Sequence, residues 1–509
     1  MTMAAELVRR GAERFGTRTA VVFEDRSLTY REVDAAANQF AGVLASRRIG
    51  KGDRVALLAG NELWSISLDF ACLKAGVVRV PLNPRLSLHE HRQMVEDTGA
   101  RLMVHTPELT ERAEALQSAV AGLEAMGMGG PGAGGSPDLL VEASALPTDP
   151  PLVPLSPSDP MLLLYTSGTT GTLKAVTHTQ GSYGAITANI LANLLSPGRD
   201  SVMLHAASLI HASGTFVLPY WLRGGAAVVL RGFEPAEFLA AIERHRVTEV
   251  NVVPTMLGML LATAPESHAD VSSLRTVIYG ASPMPRPLIT EAMARWGPIF
   301  KQYYGQSEAP LCITVLDEAD HEDPELLGSC GHPAVDAEVR LAADDGSPIP
   351  PGEIGEIQVR APFQMAGYHH ADELNAEMAT VDGWIRTRDL ARQDERGYLF
   401  LVDRSSDMIV TGGYNVYPRE VEDALMTHPA VAECAVVGAP DPTWVEAVVA
   451  FVALRPGSDA TVEELQDTVR ARLAGYKVPK RVEIVETIPK SPVGKILRRA
   501  LREPLWAER

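Results

Sequence analysis

The feature that most constrains the fold is an alternation. Short apolar runs recur along most of the chain, and segments with helical apolar spacing lie between them. Val55-Ala56-Leu57-Leu58 and Gly76-Val77-Val78-Arg79-Val80 read as strands on either side of a helix holding Trp64 to Lys74. Thr29-Tyr30-Arg31-Glu32 has the form of a capping box, in which the threonine and the glutamate each satisfy a free amide at a helix start. Val250–Val253 and Thr276–Tyr279 are further short strands. Strands and helices in this order predict parallel sheets covered by helices, an α/β fold.

A chain of 509 residues is too long for one core, so two or more domains are expected. Residues 335–401 read as rich in strands and turns, a β-rich subdomain. The apolar pattern then breaks around Arg404-Ser405-Ser406-Asp407, and a compact βαβ-like segment follows. The expected division is a large N-terminal domain over 1–403 and a small α+β domain over 404–509, with a hinge at 404–407. Residues 126–137 are glycine-rich and are expected to form a flexible surface excursion.

The chemistry starts at Tyr165-Thr166-Ser167-Gly168-Thr169-Thr170-Gly171-Thr172-Leu173-Lys174. Its glycines allow consecutive amides to face one anion, its hydroxyls add donors, and Lys174 adds a positive charge. The segment lacks the G-x-x-x-x-G-K-[ST] spacing of the common P-loop. It follows Met161-Leu162-Leu163-Leu164, which reads as a buried strand delivering a loop to a sheet edge. A polyphosphate cradle is the expectation.

Charge narrows the partners. The net charge of −18 argues against nucleic acid. Residues 470–502 nevertheless carry ten Lys/Arg and only two acids. The chain has only eight lysines, and four of them (Lys477, Lys480, Lys490, Lys495) fall in its last 33 residues. A compact ammonium where arginine is the rule suggests a surface facing an anionic ligand. The four cysteines are scattered, which points to neither a disulfide framework nor a zinc site and fits a reducing cytoplasm. No signal peptide and no membrane span are expected: the apolar region near 206–230 is broken by His211, Gly214, Pro219 and Arg223.

Four stretches in order, Tyr165–Lys174, Gln302-Tyr303-Tyr304-Gly305-Gln306-Ser307-Glu308, Asp382-Gly383-Trp384-Ile385-Arg386-Thr387-Arg388-Asp389 and Pro489-Lys490-Ser491-Pro492-Val493-Gly494-Lys495, resemble the signature motifs of the adenylate-forming superfamily. The resemblance covers nearly the whole chain and favours the acyl- and aryl-CoA synthetase branch. It implies ATP, Mg²⁺ and coenzyme A, a small carboxylic acid as substrate, and a C-terminal domain that rotates between two half-reactions. Thr166, Ser167, Gly168, Thr169, Thr170, Gly171 and Lys174 would hold the β- and γ-phosphates. Glu308, after Ser307, resembles the magnesium-associated glutamate. Tyr304 would stack on adenine beside Gly305. Asp389, helped by Arg404, would accept the ribose hydroxyls. Lys495 resembles the lysine that bridges substrate carboxylate and α-phosphate. His211 matches a position near the acyl carboxylate, and the pocket would be built near Val253-Pro254-Thr255-Met256, Gly280-Ala281-Ser282 and Tyr304-Gly305. For coenzyme A, Gly412 and Gly413 would let the pantetheine arm pass, Trp444 and Tyr476 would stack on its adenine, and Lys480 would meet its phosphates.

Several positions depart from the family pattern. Leu173 replaces a usual proline, Ala175 and Arg388 replace glycines, Ser406 stands at a hinge usually Asp or Lys, Tyr414 and Val445 replace a Glu and a Gly, and Val478 stands where some relatives carry an arginine. Two other readings stay open: a ligase that loads a carrier-protein pantetheine, and a non-catalytic nucleotide-binding paralogue. A homodimer is also left open.

Overall fold

A computed structural model of the chain describes residues 2–167, 173–210, 212–343, 345–404, 407–411, 414–441, 444–491 and 495–507. Three sheets lie before residue 405 and one after it. A nine-stranded sheet contains the parallel run Phe300–Gln306, Thr276–Tyr279, Glu249–Val252, Val202–His205, Ala226–Val229 and Thr19–Phe23. A seven-stranded sheet has Pro160–Ser167, Val78–Pro81, Arg54–Leu58, Leu102–His105 and Glu124–Gly127 in parallel, with antiparallel Leu173–Thr179 and Gly367–Tyr368 at one side. The expected α/β fold is therefore present, with the strands and the Thr29–Glu32 capping box where the sequence pattern placed them.

The burial patterns follow from the architecture. Val78–Pro81, Leu102–His105 and Glu249–Val252 are buried at every position, as strands covered by helices on both faces must be. One of these buried positions is an arginine, Arg79. Ile385–Gln393, in the four-stranded antiparallel sheet with Glu338–Ala342, Ile354–Arg360 and Leu399–Arg404, instead alternates buried and half-exposed residues over most of its length. This is the β-rich subdomain.

After residue 408 a separate sheet forms from Tyr414–Val416, Ile409–Thr411, Val445–Leu454 and Val431–Asp441, with Arg481–Val485 added in parallel to Val445–Leu454. Helix Val462–Arg470 connects the two parallel strands, a true βαβ unit within an otherwise antiparallel sheet. Helix Pro418–Leu425 leans on the larger part of the molecule, where Arg419 Nη1 donates to the Leu401 carbonyl at 3.2 Å.

The glycine-rich stretch corrects one expectation. Residues 126–137 are not a loose excursion. Met126, Met128 and Ala133 are buried, and the Ala133 amide donates to His105 Nε2 at 3.0 Å. A Cβ at Gly127 would lie 2.1 Å from the Gly130 carbonyl oxygen, so the glycines serve a tight fold-back of backbone on backbone.

Candidate active site

Three sheets meet where the sequence motifs lie. The phosphate-loop segment is the end of an antiparallel hairpin: Thr166 pairs with Lys174, Ser167 with Leu173 and Tyr165 with Ala175. Gly168, Thr169, Thr170 and Gly171 lie outside the described residues, as do His211, Gly412, Gly413 and the hinge position Ser406. The two departures beside Lys174 have a packing reason. Ala175 is 2% exposed in a core cluster with Ala56, Val80 and Leu163, and Leu173 packs against the same cluster.

The turn carrying Glu308 comes from the nine-stranded sheet, between Phe300–Gln306 and Ala309–Leu316. It is tied by three hydrogen bonds to the hairpin of the seven-stranded sheet and to the segment that forms the edge strand beside it. His178, on the hairpin strand, donates from Nε2 to the Ser307 carbonyl at 2.8 Å. Tyr368, on the strand beside the hairpin, donates its hydroxyl to Glu308 Oε1 at 2.5 Å. The Met365 amide donates to the Glu308 carbonyl at 2.7 Å. Glu308 is thereby held as a half-buried carboxylate beside the sheet whose hairpin carries Lys174. Full burial pushes the His178 imidazole down to about 4, so it is neutral at physiological pH and its Nε2–H is a fixed donor. Neither His178 nor Tyr368 was marked by the sequence motifs.

The third sheet brings Asp389. Its Oδ2 accepts the Tyr304 hydroxyl at 2.6 Å, and both residues are buried. Burial, and then the neighbouring Asp389 charge, push the phenol well above its usual range, which keeps it a donor. The residues assigned to adenine and to ribose are thus one hydrogen-bonded unit. Arg404 is the direct cross-strand partner of Asp389. The residue before Asp389 explains another departure. Arg388 has φ of 60°, the left-handed conformation glycine adopts freely, and it is held by its amide to Glu356 Oε1 at 2.8 Å and its guanidinium to Glu377 at 2.6 Å.

Gly280 follows the strand Thr276–Tyr279 and passes close to the adjacent strand. A Cβ there would meet the Tyr303 carbonyl at 2.5 Å and its ring at 2.8 Å. Ala281 beyond it is exposed with φ of 66°, Ser282 is half-buried, and Gly305 is half-buried next to Tyr304.

A single carboxylate such as Glu308, with phosphate oxygens, fits Mg²⁺, which takes one or two protein carboxylates when it binds with a nucleotide. Among the described residues no cluster of three or more His, Cys, Asp or Glu side chains is placed to hold a metal.

The C-terminal residues form a different kind of surface. Trp444 is 45% exposed, and Lys480 Nζ sits 5.3 Å from its ring centre. Tyr476 stacks on Tyr414 with centroids 4.6 Å apart, and Lys477 lies 5.7 Å over Tyr476. Trp444 and Lys480 thus make one aromatic–cation pair, and Tyr476 makes another with a partner the motifs did not mark. Val445 adopts φ of 71°, which accounts for the usual glycine there. Val478 is 6% exposed in the C-terminal core, where it packs rather than facing a ligand. Lys495 stands on a small hairpin: Ser491 N donates to its carbonyl at 2.7 Å, its own amide donates to Ser491 Oγ at 3.1 Å, and Lys490 bridges to Ile496. Lys490–Glu433 and Arg498–Glu422 ion pairs, both 2.6 Å, fix that hairpin to the C-terminal sheet. Among the described residues no helix is long and apolar enough to cross a membrane.

Comparison with known proteins identifies the family. Residues 8–369 match the family described as AMP-binding enzyme, and residues 420–495 match the AMP-binding enzyme C-terminal domain. The chain is 40% identical over 486 residues to a feruloyl-CoA synthase of Amycolatopsis sp, covering 95% of both chains. It is 39% identical over 497 residues to the medium/long-chain-fatty-acid–CoA ligase FadD8 of Mycobacterium tuberculosis, covering 95% of this chain and 86% of the relative. The solved structure of the amide bond synthetase McbA from Marinactinospora thermotolerans superposes with a TM-score of 0.90 at 32% identity, over 98% of this chain and 99% of that one.

Proposed function

This chain belongs to the AMP-binding enzyme family, and from that premise we propose how its residues divide the work of an acid–CoA ligase. A carboxylate is a poor acylating agent because its leaving group would be oxide. In the first half-reaction a carboxylate oxygen attacks the α-phosphorus of ATP, the bond to the β-phosphate oxygen breaks, and pyrophosphate leaves. In the second the CoA sulfur attacks the acyl carbon, AMP departs, and the thiol proton passes to solvent. The protein's task in the first step is to bring two anions together, which calls for fixed donors and cations where charge accumulates.

Tyr304 and Asp389 position the nucleoside, with Arg404 opposite Asp389. The hairpin ending in Lys174 meets the β- and γ-phosphates. Glu308, oriented by Tyr368 and by the His178-anchored turn, would hold Mg²⁺, which would supply neutralisation of phosphate charge. Lys495 bridges the substrate carboxylate and the α-phosphate, and His211 lies at the acyl carboxylate. The domain spanning 404–509 turns about 404–407 to exchange Lys495 for the CoA-binding face with Trp444, Tyr476 and Lys480. The observation that carries this reading is the buried Tyr304–Asp389 hydrogen bond beside a Glu308 turn whose Ser307 carbonyl accepts from His178 on the phosphate hairpin.

The acceptor is CoA in this reading, and the place of action is the cytoplasm. The test is product analysis with a panel of carboxylic acids, offering CoA, a holo-carrier protein or a free amine as acceptor. AMP, pyrophosphate and an acyl-CoA are expected. Acyl transfer only to the carrier or only to the amine would reassign the acceptor, and light scattering of the purified chain would test for the homodimer.

A further inference from the structure

The strand that carries Asp389 is irregular just before it. Along Ile385–Gln393, Arg386 pairs with Gln358 and Leu390 with Glu356 on the neighbouring strand Ile354–Arg360. Thr387, Arg388 and Asp389 therefore share the space opposite the single residue Ile357. Extra residues in one strand make a bulge, which bends the chain and re-aims a side chain. Arg388, in the middle of it, holds φ of 60°. A residue with a Cβ keeps that conformation only where its surroundings impose it.

Glu356 supplies the hold. It is 8% exposed, and its carboxylate is divided between two tasks. Oε1 accepts the Arg388 amide at 2.8 Å, and Oε2 accepts Arg386 Nε at 2.8 Å. The bulge takes the Arg388 N–H out of the ladder with Ile354–Arg360, and an N–H inside the fold needs another acceptor. Thr387 completes the turn: its Oγ1 donates to the Ile357 carbonyl at 2.8 Å and accepts the Asp389 amide at 3.1 Å. Glu377 is a different kind of partner. It pairs with the Arg388 guanidinium from an exposed position, so it holds the tip of the side chain and not the backbone.

We propose that Glu356 is a positioning residue for the nucleotide: its buried carboxylate fixes the Arg388 backbone, and through it the aim of Asp389 at the ribose. The proposal rests on the ribose role given to Asp389 above. Asp389 is the next residue in the chain, so its carboxylate follows any turn of the Arg388 backbone. Its Oδ2 meets the Tyr304 hydroxyl at 2.6 Å. A shift of about 1 Å would break that contact, and a return of Arg388 to negative φ would move the chain. The task asks for length as well as charge. The acceptor must reach a backbone amide of the neighbouring strand, so a glutamine retains the bond to Arg388 and an aspartate, one methylene shorter, does not. An ion pair kept only for its charge would rank those two the other way.

The test is calorimetric ATP binding to the full chain, with the KM for CoA as control. Glu356→Ala should weaken ATP binding about tenfold and leave the KM for CoA unchanged. Glu356→Gln should stay within about threefold of the wild type, and Glu356→Asp should resemble the alanine variant. These two serve if Glu356→Ala melts early. Because Glu356 acts through Asp389, Glu356→Ala added to Asp389→Ala should cost no further affinity. Where Asp389→Ala weakens ATP binding, three results would each overturn the proposal: wild-type affinity in Glu356→Ala, a glutamine variant as weak as the alanine, or a double variant showing the product of the two single losses. Unchanged ATP binding in Asp389→Ala would overturn the ribose role instead. The crystal structure of Glu356→Asp then decides the positioning on its own: Asp389 Oδ2 displaced from the Tyr304 hydroxyl sustains it, and an intact contact overturns it.

Discussion

The region proposed to hold the nucleotide and the region proposed to face the thiol are built by opposite means. In the first, buried and half-buried side chains are bonded across three sheets: Tyr304 to Asp389, Tyr368 to Glu308, His178 to the Ser307 carbonyl. On the C-terminal domain the marked residues are exposed aromatics, with Tyr414 59%, Trp444 45% and Tyr476 36% accessible. The first arrangement suits a step in which charge must be stabilised by dipoles fixed in advance. The second suits a ligand that comes and goes, gaining from stacking and from desolvation on arrival. The difference teaches that one half is organised before substrate binds and the other is completed by its substrate.

The largest expected effect probes the buried half through pH. The His178 and His205 imidazoles are both pushed by burial from 6.5 down to about 4. Between those values the unfolded chain binds protons that the folded chain refuses. The stability is complete above pH 6.5 and is lost as pH falls toward 4, by about 3 kcal/mol for His178. Thermal melts from pH 7 to pH 4 should show the loss, and His178→Gln should flatten part of it. A melting temperature independent of pH across that range would contradict the buried, neutral assignment.

Next, Asp389→Ala removes the proposed ribose acceptor and takes the Asp389 carboxylate away from the buried Tyr304 hydroxyl. A charged hydrogen bond of about 2 kcal/mol predicts a rise in the apparent KM for ATP of roughly tenfold to a hundredfold, with the KM for CoA unchanged. Equal effects on both substrates would erase the contrast between the halves. Trp444→Ala should do the reverse on a smaller scale. Loss of about 1 kcal/mol of stacking should raise the KM for CoA about fivefold and spare acid-dependent pyrophosphate exchange. Smallest is Val445→Gly. Relieving a β-branched residue from φ of 71° should stabilise the C-terminal domain by about 1 kcal/mol, seen as a higher denaturation midpoint. An unchanged or lower midpoint would mean that its surroundings have absorbed the strain.

Much of this was legible in the sequence because it is local. Strand runs such as Thr276–Tyr279 and the Thr29–Glu32 capping box carry their own periodicity and caps, and the motif residues Lys174, Glu308 and Asp389 stand in recognisable strings. The residues that hold those strings in place are not local. His178 reaches a carbonyl 129 positions away and Tyr368 a carboxylate 60 positions away, and nothing in their own neighbourhoods announces it. Composition misled at 126–137, where glycine permits backbone contact rather than looseness. Val478 was likewise unreadable as a core residue until its sheet was known.

The central claim is that the two half-reactions are served by different parts of the chain, with Lys495 acting only in the first. The most direct measurement is a split assay of Lys495→Ala: acid-dependent ATP–pyrophosphate exchange on one side, and thioester formation from a supplied acyl-adenylate and CoA on the other. Exchange should fall by about a hundredfold or more while the thioester step keeps most of its rate. Equal loss of both steps would contradict the account.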